Sequence, residues 1–344
     1  MTKAEYIYFT GDFFIAENDD VNTLPMIQKC FGNDPVVFNI EGVPNTYTDT
    51  SEKIRRKAVP LALNQSILKL RNLQNCFFSL VNNHSSDCGH ESYRIFSEKL
   101  GSNALFSSTT ELDPRRRVGS VNIIFFADER EECLCKEYKF LRFDRSIILK
   151  NNVFIQGSYI VIHGGIEYRR HPTPYQRYLS HLLVNLGARA VLFHHSHISG
   201  CHEWFNDKLI HYGLGNFYFS SVNDLHGHDV VDGKVLRLSP DTGNFEVSDV
   251  TFEKSSTLVC LDLNLTYSPL ADSFDFQPLS QYRRWYRDKY PLDSSFRPRQ
   301  LYYSEIIIRI QFFLWYKIAS LLMSAGLTKK LKLVLRKLLI LKIP

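Results

Sequence analysis

The sequence predicts an α/β protein in which parallel strands pack against helices. Two features of the first 265 residues support this fold class. Short runs of apolar, β-branched or aromatic residues recur along the chain, and stretches with helical spacing separate several of them. Strand, helix and strand in this order favour a sheet with parallel pairs. The composition, 44% hydrophobic and 22% charged, excludes a disordered chain.

The predicted elements follow one another closely. The strand-like runs lie at 6–9, 36–40, 76–81, 121–126, 159–162, 190–193 and 209–212. The helical stretches lie at 21–31, 61–73, 91–100 and 174–186, and Gly187 is a typical terminator of the last one. Strand-like runs and a turn between residues 234 and 265 predict an antiparallel edge of the sheet.

Composition divides the chain into three predicted segments. Residues 1–265 form the α/β domain, residues 266–300 form an irregular linker, and residues 301–344 form a tail. The net charge of +5 belongs to the tail, which has eight basic residues and one acidic residue. Its apolar and basic residues have helical spacing, so we expect two amphipathic helices that bind a membrane surface. The alternative is a helical hairpin packed on the body of the protein, residues 1–300, or on a partner subunit.

Composition also bears on location and partners. Seven loosely spaced cysteines favour a reducing compartment. The sequence has no signal-peptide pattern and no run of about 18 apolar residues. We therefore expect a cytoplasmic protein held at the inner membrane face by its tail. The basic run at 115–117 has no interleaved aromatic residues, so we expect no nucleic-acid partner.

Polar side chains follow most of the predicted strands. Those with metal-binding side chains are Asp12, Glu41, Asn83, His163, His195 and His197. Because the carboxyl ends of parallel strands meet at one edge of a sheet, we expect these residues to lie close together. Their mixed oxygen and nitrogen donors suit Mn²⁺, Fe²⁺ or Zn²⁺ better than Ca²⁺. Six candidates are many for one ion, so the sequence predicts two ions bridged by a carboxylate.

The histidine pair His195-x-His197 strengthens this prediction. Strand alternation would send both imidazoles to one face of the sheet. The same alternation would send His194 to the opposite face, so we interpret His194 as structural.

Several motifs occur in order along about residues 6–220. They are Asp12, Asn39-Ile40-Glu41, Asn82-Asn83-His84 with Asp87, His163 with Glu167-Tyr168 and Pro172–Arg177, His195-x-His197, and Gly213-Leu214-Gly215-Asn216-Phe217. This set resembles the calcineurin-like metallophosphoesterases. It is most similar to their bacterial capsule-synthesis branch, also called the poly-γ-glutamate biosynthesis family. The resemblance implies an αββα sandwich of two mixed sheets, with the tail as a helical appendage.

The resemblance also implies roles for individual residues. Glu41 would bridge two metals, with Asp12 and His197 completing one site. Asn83, His163 and His195 would complete the other. His84 would be the general acid that protonates the leaving group, and Asp87 would orient it.

Some positions depart from the family pattern or have a second interpretation. Phe14 stands where many metallophosphoesterases have a histidine ligand, so the first metal site lacks one ligand. Glu167, Arg177 and Asn216 are predicted to bind substrate. A surface loop charge is the alternative for Glu167, and a solvated helix face is the alternative for Arg177.

The sequence therefore predicts a metal-dependent hydrolase, most simply a phosphoesterase, in the biosynthesis of capsule or another cell-surface polymer. Its expected partners are an anionic polymer or a phosphorylated substrate. Two alternatives stay open. The first is a non-catalytic, metal-binding assembly factor of a polymer-synthesis complex, and the second is hydrolysis or transfer at an amide bond of polyglutamate.

Overall fold

The computed structural model describes residues 5–17, 23–44, 63–85, 87–108, 111–128, 140–219, 233–254, 261–270 and 274–290. Contacts divide the chain into two units, Met1–Phe276 and Gln277–Pro344. The amphipathic tail predicted at 301–344 lies outside the described residues. The predicted boundaries at 265 and 300 stay predictions.

The first sheet is mixed and has eight strands in the described part of the chain. They are β1 (Ile7–Phe14), β2 (Val36–Ile40), β3 (Cys76–Ser79), β4 (Ala104–Leu105), β11 (Asn216–Phe219), β12 (Lys234–Leu238), β13 (Phe245–Asp249) and β16 (Ser268–Pro269). The order is β16-β13-β12-β1-β2-β3-β4, and β11 also pairs with β1. Strands β1 to β4 are parallel, whereas β12, β13 and β16 form the antiparallel edge that the sequence predicts.

The second sheet is also mixed, with six strands among the described residues. They are β5 (Arg116–Val118), β6 (Val121–Ala127), β7 (Tyr159–His163), β8 (Ala190–His194), β9 (His202–Phe205) and β10 (Lys208–His211). The order is β5-β6-β7-β8-β10-β9, in which β6, β7, β8 and β10 are parallel. Strands β14 (Thr251–Lys254) and β15 (Leu261–Asn264) form a separate antiparallel pair.

The described helices are mostly short. They are α1 (Leu24–Phe31), α2 (His90–Leu100), α3 (Arg145–Lys150), α4 (Asn152–Ile155), α5 (Pro174–Asn185) and α6 (Leu279–Lys289), with 3-10 helices at Gln65–Asn72 and Gly101–Asn103. Helix α5 begins with a capping box, in which Thr173 and Gln176 each accept a hydrogen bond from the other's backbone N–H. Within the described residues, none of the helices has the length and hydropathy needed to cross a membrane.

Two hydrophobic clusters define the layers of the first unit. One lies between the sheets, where Phe9 and Phe125 are buried, and extends to α1 and α2. The other lies between the second sheet and α3 to α5, and includes Ile162 and Leu183. Alternate residues of the second sheet therefore enter different clusters, which explains why its parallel strands are almost continuously apolar. The predicted α/β class with two mixed sheets is confirmed.

Two predicted elements differ in the structure. The helix predicted at 61–73 is a 3-10 helix, Gln65–Asn72, which begins where the Asn64 side chain accepts the N–H of Ser66. The linker predicted to be irregular over 266–300 contains β16 and α6. That prediction was wrong over 279–289, because Tyr282, Trp285 and Tyr286 have helical spacing that the polar composition obscures.

Candidate metal centre

Asp12 lies within the central strand β1 of the first sheet. The strand continues beyond Asp12, so the end predicted at residue 9 is too early. The pairing of β1 with β11 shifts register between Asp12 and Phe13, and the Asp12 N–H donates to the Gly215 carbonyl at 2.7 Å. Gly11 permits this approach, because a Cβ there would overlap the Gly215 backbone. The buried Asp12 side chain therefore lies at an irregular point of the sheet.

Glu41 follows β2 and is fully buried. Its carboxylate belongs to two groups of possible metal-ligating atoms. They are Asp12, Glu41 and His163, and Glu41, His195 and His197; within each group the ligand atoms lie within 4.8 Å of one another. A carboxylate common to two donor groups is suited to bridging a pair of metal ions.

Two asparagine amides contact the ring of His163, one at each nitrogen. Asn39 Nδ2 lies 3.2 Å from His163 Nδ1, and Asn83 Oδ1 lies 2.8 Å from His163 Nε2. Asn39 Nδ2 also donates to Asp12 Oδ1 at 2.8 Å. One amide nitrogen of Asn39 therefore connects Asp12 in the first sheet to His163 in the second.

Asn82 connects the loop after β3 to β2. Its side-chain nitrogen donates to the Ile40 carbonyl at 2.6 Å, and its side-chain oxygen accepts the His84 N–H at 2.9 Å. These two bonds fix the backbone on both sides of Asn83. The sequence motif thus ties the Asn83-His84 segment to the end of β2, just before Glu41, through an asparagine that is not itself a predicted ligand.

The backbone conformation that places His195 and His197 in the site differs from the strand that the sequence predicted. Strand β8 ends at His194, and both later histidines have left-handed backbone conformations, with φ of 86° and 56°. Strand alternation therefore does not orient them. The His195 N–H donates to Asp12 Oδ2 at 3.1 Å, and His197 Nε2 lies 3.8 Å from Glu41 Oε2. Such strained conformations cluster at functional sites.

The prediction that His194 faces away from the site was wrong. His194 is the register partner of His163 in the parallel β7–β8 pair, so both side chains lie on the same face of the sheet. Its Nδ1 lies 3.2 Å from Asp12 Oδ1. The change of conformation after His194 is the reason that it and His195 both reach Asp12.

Burial and neighbouring charges set the ionisation of this centre. Burial lowers the pKa of His163 well below its usual range, and the nearby His195 and His194 lower it further. Burial also lowers the pKa of His197, although Asp12 opposes the shift. Burial alone would raise the pKa of Asp12, but contact with His194 and the nearby His197 lower it. Neutral imidazoles and an ionised carboxylate are the protonation states that metal ligands require.

The residues present fit a divalent metal. Buried carboxylate and imidazole atoms converge in two groups, and an amide oxygen lies beside one of them. Hard oxygen donors combined with imidazole nitrogens suit a borderline ion. The resemblance grouped Asp12 with His197, whereas Asp12 here groups with His163, so the division of ligands between two ions stays a prediction.

His84 and Asp87, the predicted general acid and its orienting partner, are in contact. His84 Nδ1 lies 2.6 Å from Asp87 Oδ2. The Asp87 side chain is 2% exposed and that of His84 is 13% exposed. The buried carboxylate fixes the ring through Nδ1, which leaves Nε2 as the ring atom suited to exchange a proton.

Arg177, predicted to bind substrate or to be solvated, is buried in α5. Its guanidinium donates to both carboxylate oxygens of Glu203 at 2.8–3.1 Å. His181 Nε2 and the Tyr212 hydroxyl also contact Glu203, at 2.9 and 2.5 Å. The solvated alternative was therefore wrong, and the pairing favours a structural role, because the guanidinium is buried and its charge is compensated by Glu203.

The other predicted substrate residues lie nearer the centre. Asn216 Oδ1 accepts from His197 Nδ1 at 3.0 Å, so Asn216 positions a candidate ligand. Glu167 is exposed, and its charge weakly opposes the lowering of the His197 pKa that burial causes. Phe14, at the position of the missing ligand, is buried and packs on Phe219 with ring centroids 5.0 Å apart. Substrate contact by Glu167 and Asn216 stays a prediction.

Sequence reasoning missed Asp128, which follows β6 directly. Its N–H donates to the His163 carbonyl at 2.9 Å. Its side chain lies beside Gly164, where an added Cβ would overlap it. The signal was available, because the strand-end rule that selected Glu41 also applies to this residue.

Comparisons with known proteins agree with these motifs. Residues 157–221 match the family model described as bacterial capsule synthesis protein PGA_cap. The capsule biosynthesis protein CapA of Bacillus anthracis is 37% identical over 57 residues, which cover 17% of this chain and 14% of that relative.

A solved structure of a Staphylococcus aureus chain, described as a 5'-nucleotidase candidate in complex with alpha-ketoglutarate, aligns with 83% of this chain and 58% of its own length. Its sequence identity is 14% and its TM-score is 0.41. The family match covers three of the candidate ligands, His163, His195 and His197. Residues 157–221 are therefore similar to the bacterial capsule synthesis protein family, and the matches cover less than a fifth of the chain and 14% of the length of CapA.

Proposed function

We propose that this chain is a metal-dependent hydrolase, most simply a phosphoesterase, in the biosynthesis of capsule or another cell-surface polymer. The observation that supports this most strongly is that Glu41 is common to both groups of possible metal ligands. Its carboxylate belongs to both groups of possible ligand atoms, and within each group the atoms lie within 4.8 Å of one another. The other members of the two groups are Asp12, His163, His195 and His197. The family match supports the pathway, and the substrate is proposed from the chemistry of the site.

Asp12, Glu41, Asn83, His163, His195 and His197 would hold two divalent ions, with manganese as the ion to test first. Such ions would activate water and neutralise the negative charge on a phosphoryl group. Asn216 accepts from Nδ1 of His197, which leaves Nε2 of that ring as the lone-pair nitrogen on the side of Glu41. Asn39 contacts Nδ1 of His163, and Nε2 of that ring lies 3.6 Å from Glu41 Oε1.

His84 would donate a proton to the leaving group. The Asp87 carboxylate holds the ring through Nδ1, which leaves Nε2 to donate the proton. A general acid contributes most when the leaving group is strongly basic, so the His84 contribution depends on the ester. General acid–base groups of this kind contribute about 10²- to 10⁴-fold in rate.

The test compares the wild-type full chain with His84→Ala on two phosphoesters in the presence of Mn²⁺. One substrate is p-nitrophenyl phosphate, which has a good leaving group, and the other is an alkyl phosphate. We expect kcat to fall about 10²-fold or more on the alkyl phosphate and much less on the aryl phosphate.

His181→Ala is the matched control, because His181 is also partly buried, at 15% exposure, and also contacts a carboxylate, at 2.9 Å. It should leave the ratio of the two rates unchanged. Equal losses on both esters in His84→Ala would contradict the general-acid role. Metal-loaded wild-type protein that hydrolyses neither ester would contradict the phosphoesterase.

A non-catalytic, metal-binding assembly factor is the second candidate, and Phe14 favours it. Its ring packs in the core against Phe219, at the position where a further ligand would complete the first metal site. Metal binding without turnover of any phosphoester or of a polyglutamate amide bond would support this candidate. Amide cleavage with no phosphoester cleavage would support the polyglutamate alternative.

A further inference from the structure

Tyr168 is a large exposed side chain beside the otherwise buried metal centre. It is 44% exposed, whereas His197 is 8% exposed and Glu41 is fully buried. The ring centroids of Tyr168 and His197 are 5.9 Å apart. Tyr168 therefore lies where a ligand arriving from solvent would meet the centre.

The backbone holds Tyr168 in an unfavourable conformation. Its φ is 58°, in the left-handed region that costs a residue with a side chain about 1–2 kcal/mol. The Tyr168 N–H donates to the Ser196 carbonyl at 2.7 Å, and Ser196 lies between His195 and His197. The conformation of Tyr168 is thus coupled to the segment that supplies two candidate ligands. Strain that persists at such a position is typical of a functional contact.

The Tyr168 side chain is a phenol, which is neutral at pH 7. A neutral phenol offers an apolar ring face and a hydroxyl donor without adding negative charge where an anionic ester would bind.

We propose that Tyr168 forms an aromatic subsite that contacts a ring, such as an aryl or sugar ring, on the ester group of the substrate. This inference rests on the proposed function, since it takes the metal centre to bind a phosphoryl group. It restricts the substrate class to esters with a ring next to the phosphate.

The test measures binding rather than turnover. Calorimetry would give the affinities of phenylphosphonate and methylphosphonate for the Mn²⁺-loaded full chain, and the ratio of the two isolates the effect of the ring. Aromatic contacts of this kind correspond to about a 2- to 10-fold preference for the phenyl compound. Tyr168→Ala should lose the preference, and Tyr168→Phe should keep it.

Trp204→Ala is the control, because Trp204 is equally exposed, at 44%, but lies on β9. It should bind both phosphonates as the wild type does. Equal wild-type affinity for the two phosphonates, no binding of either, or an unchanged preference in Tyr168→Ala would overturn the subsite. A preference for the phenyl compound without hydrolysis of phosphoesters would support the subsite and contradict the hydrolase. Hydrolysis without a preference for the phenyl compound would support the hydrolase and contradict the subsite.

Discussion

At the scale of single residues, Asn39 has a positioning role in the metal centre that its motif alone does not indicate. It is 1% exposed, and its amide nitrogen contacts Asp12 Oδ1 and His163 Nδ1 at 2.8 and 3.2 Å. Partners of this kind set the orientation of metal ligands. The hydrogen bonds of Asn39 arrange two candidate ligands before any ion binds.

We expect Asn39→Ala to weaken Mn²⁺ binding by about 10- to 100-fold, because Asp12 and His163 lose their common donor. Titration calorimetry on the metal-free protein measures this affinity. Asn75→Ala is the matched control, since the Asn75 amide nitrogen also spans two acceptors, the carbonyls of Gly32 and Asp34, at the other end of the same strands. Equal metal affinity in the two variants would contradict the role of Asn39.

The candidate ligands differ in how far the sequence could place them. Glu41 and His163 come at strand ends, so the general rule for parallel sheets was sufficient. His195 and His197 depend on left-handed residues after β8, and hydrophobic periodicity contains no signal for a single backbone turn of this kind. His194 was misassigned for the same reason, because alternation was extended past the end of the strand.

At the scale of elements, a buried ion pair connects helix α5 to strand β9. Glu203 accepts from Arg177, His181 and Tyr212, and Arg177 also lies over the Phe276 ring at 4.7 Å. Burial alone would raise the pKa of Glu203, but the hydrogen bonds from His181, Arg177 and Tyr212 outweigh it and lower the pKa below 4.5. The carboxylate therefore stabilises the fold in its ionised form.

Glu203→Gln should destabilise the protein by about 3 kcal/mol at neutral pH, because it leaves the buried Arg177 charge uncompensated. Since the folded pKa of Glu203 is lower than its unfolded value of 4.5, the contribution is present above pH 4.5 and is lost as the pH falls through the folded pKa. Urea unfolding at several pH values should show the gap between wild type and variant shrinking below pH 4.5.

Glu98→Gln provides the comparison for this prediction, because Glu98 pairs with Arg94 on the exposed face of α2. It should change stability little at any pH. A gap between wild type and Glu203→Gln that does not depend on pH would contradict the assignment of the ionised form.

Element prediction succeeded where local signals were strong and failed where packing decides. Helix α5 has proline at its first position and a Thr173–Gln176 capping box, and both are visible in the sequence. Helix α6 is mostly polar with three spaced aromatic residues, so its composition suggested an irregular linker. The central position of β1, beside β2, β11 and β12, depends on pairing between distant segments and cannot be derived from local patterns.

At the scale of the whole molecule, the charge is separated between the body and the tail. The formal charge of +5 results from a tail with eight basic residues and one acidic residue attached to a slightly acidic body. We propose that the tail holds the protein at an anionic membrane surface, to which each basic residue near the surface contributes about 1 kcal/mol.

Reversing three tail charges in Lys329→Glu/Lys330→Glu/Lys332→Glu should abolish flotation of the full chain with vesicles that contain phosphatidylserine. The control variant Lys69→Glu/Lys150→Glu/Lys208→Glu makes the same charge change at exposed positions of the body, and it should float like the wild type. Equal flotation of the two variants would contradict membrane binding by the tail and would favour packing on the body or on a partner subunit.

The shared position of Glu41 is the central feature of the proposed hydrolase, and the number of bound metal ions tests it most directly. After dialysis against Mn²⁺, elemental analysis of the wild-type full chain should find two ions for each protein molecule, and Glu41→Gln should retain one or none, because both donor groups include this carboxylate. A wild type that binds no metal, or a Glu41→Gln variant that binds as many ions as the wild type, would contradict the metal centre.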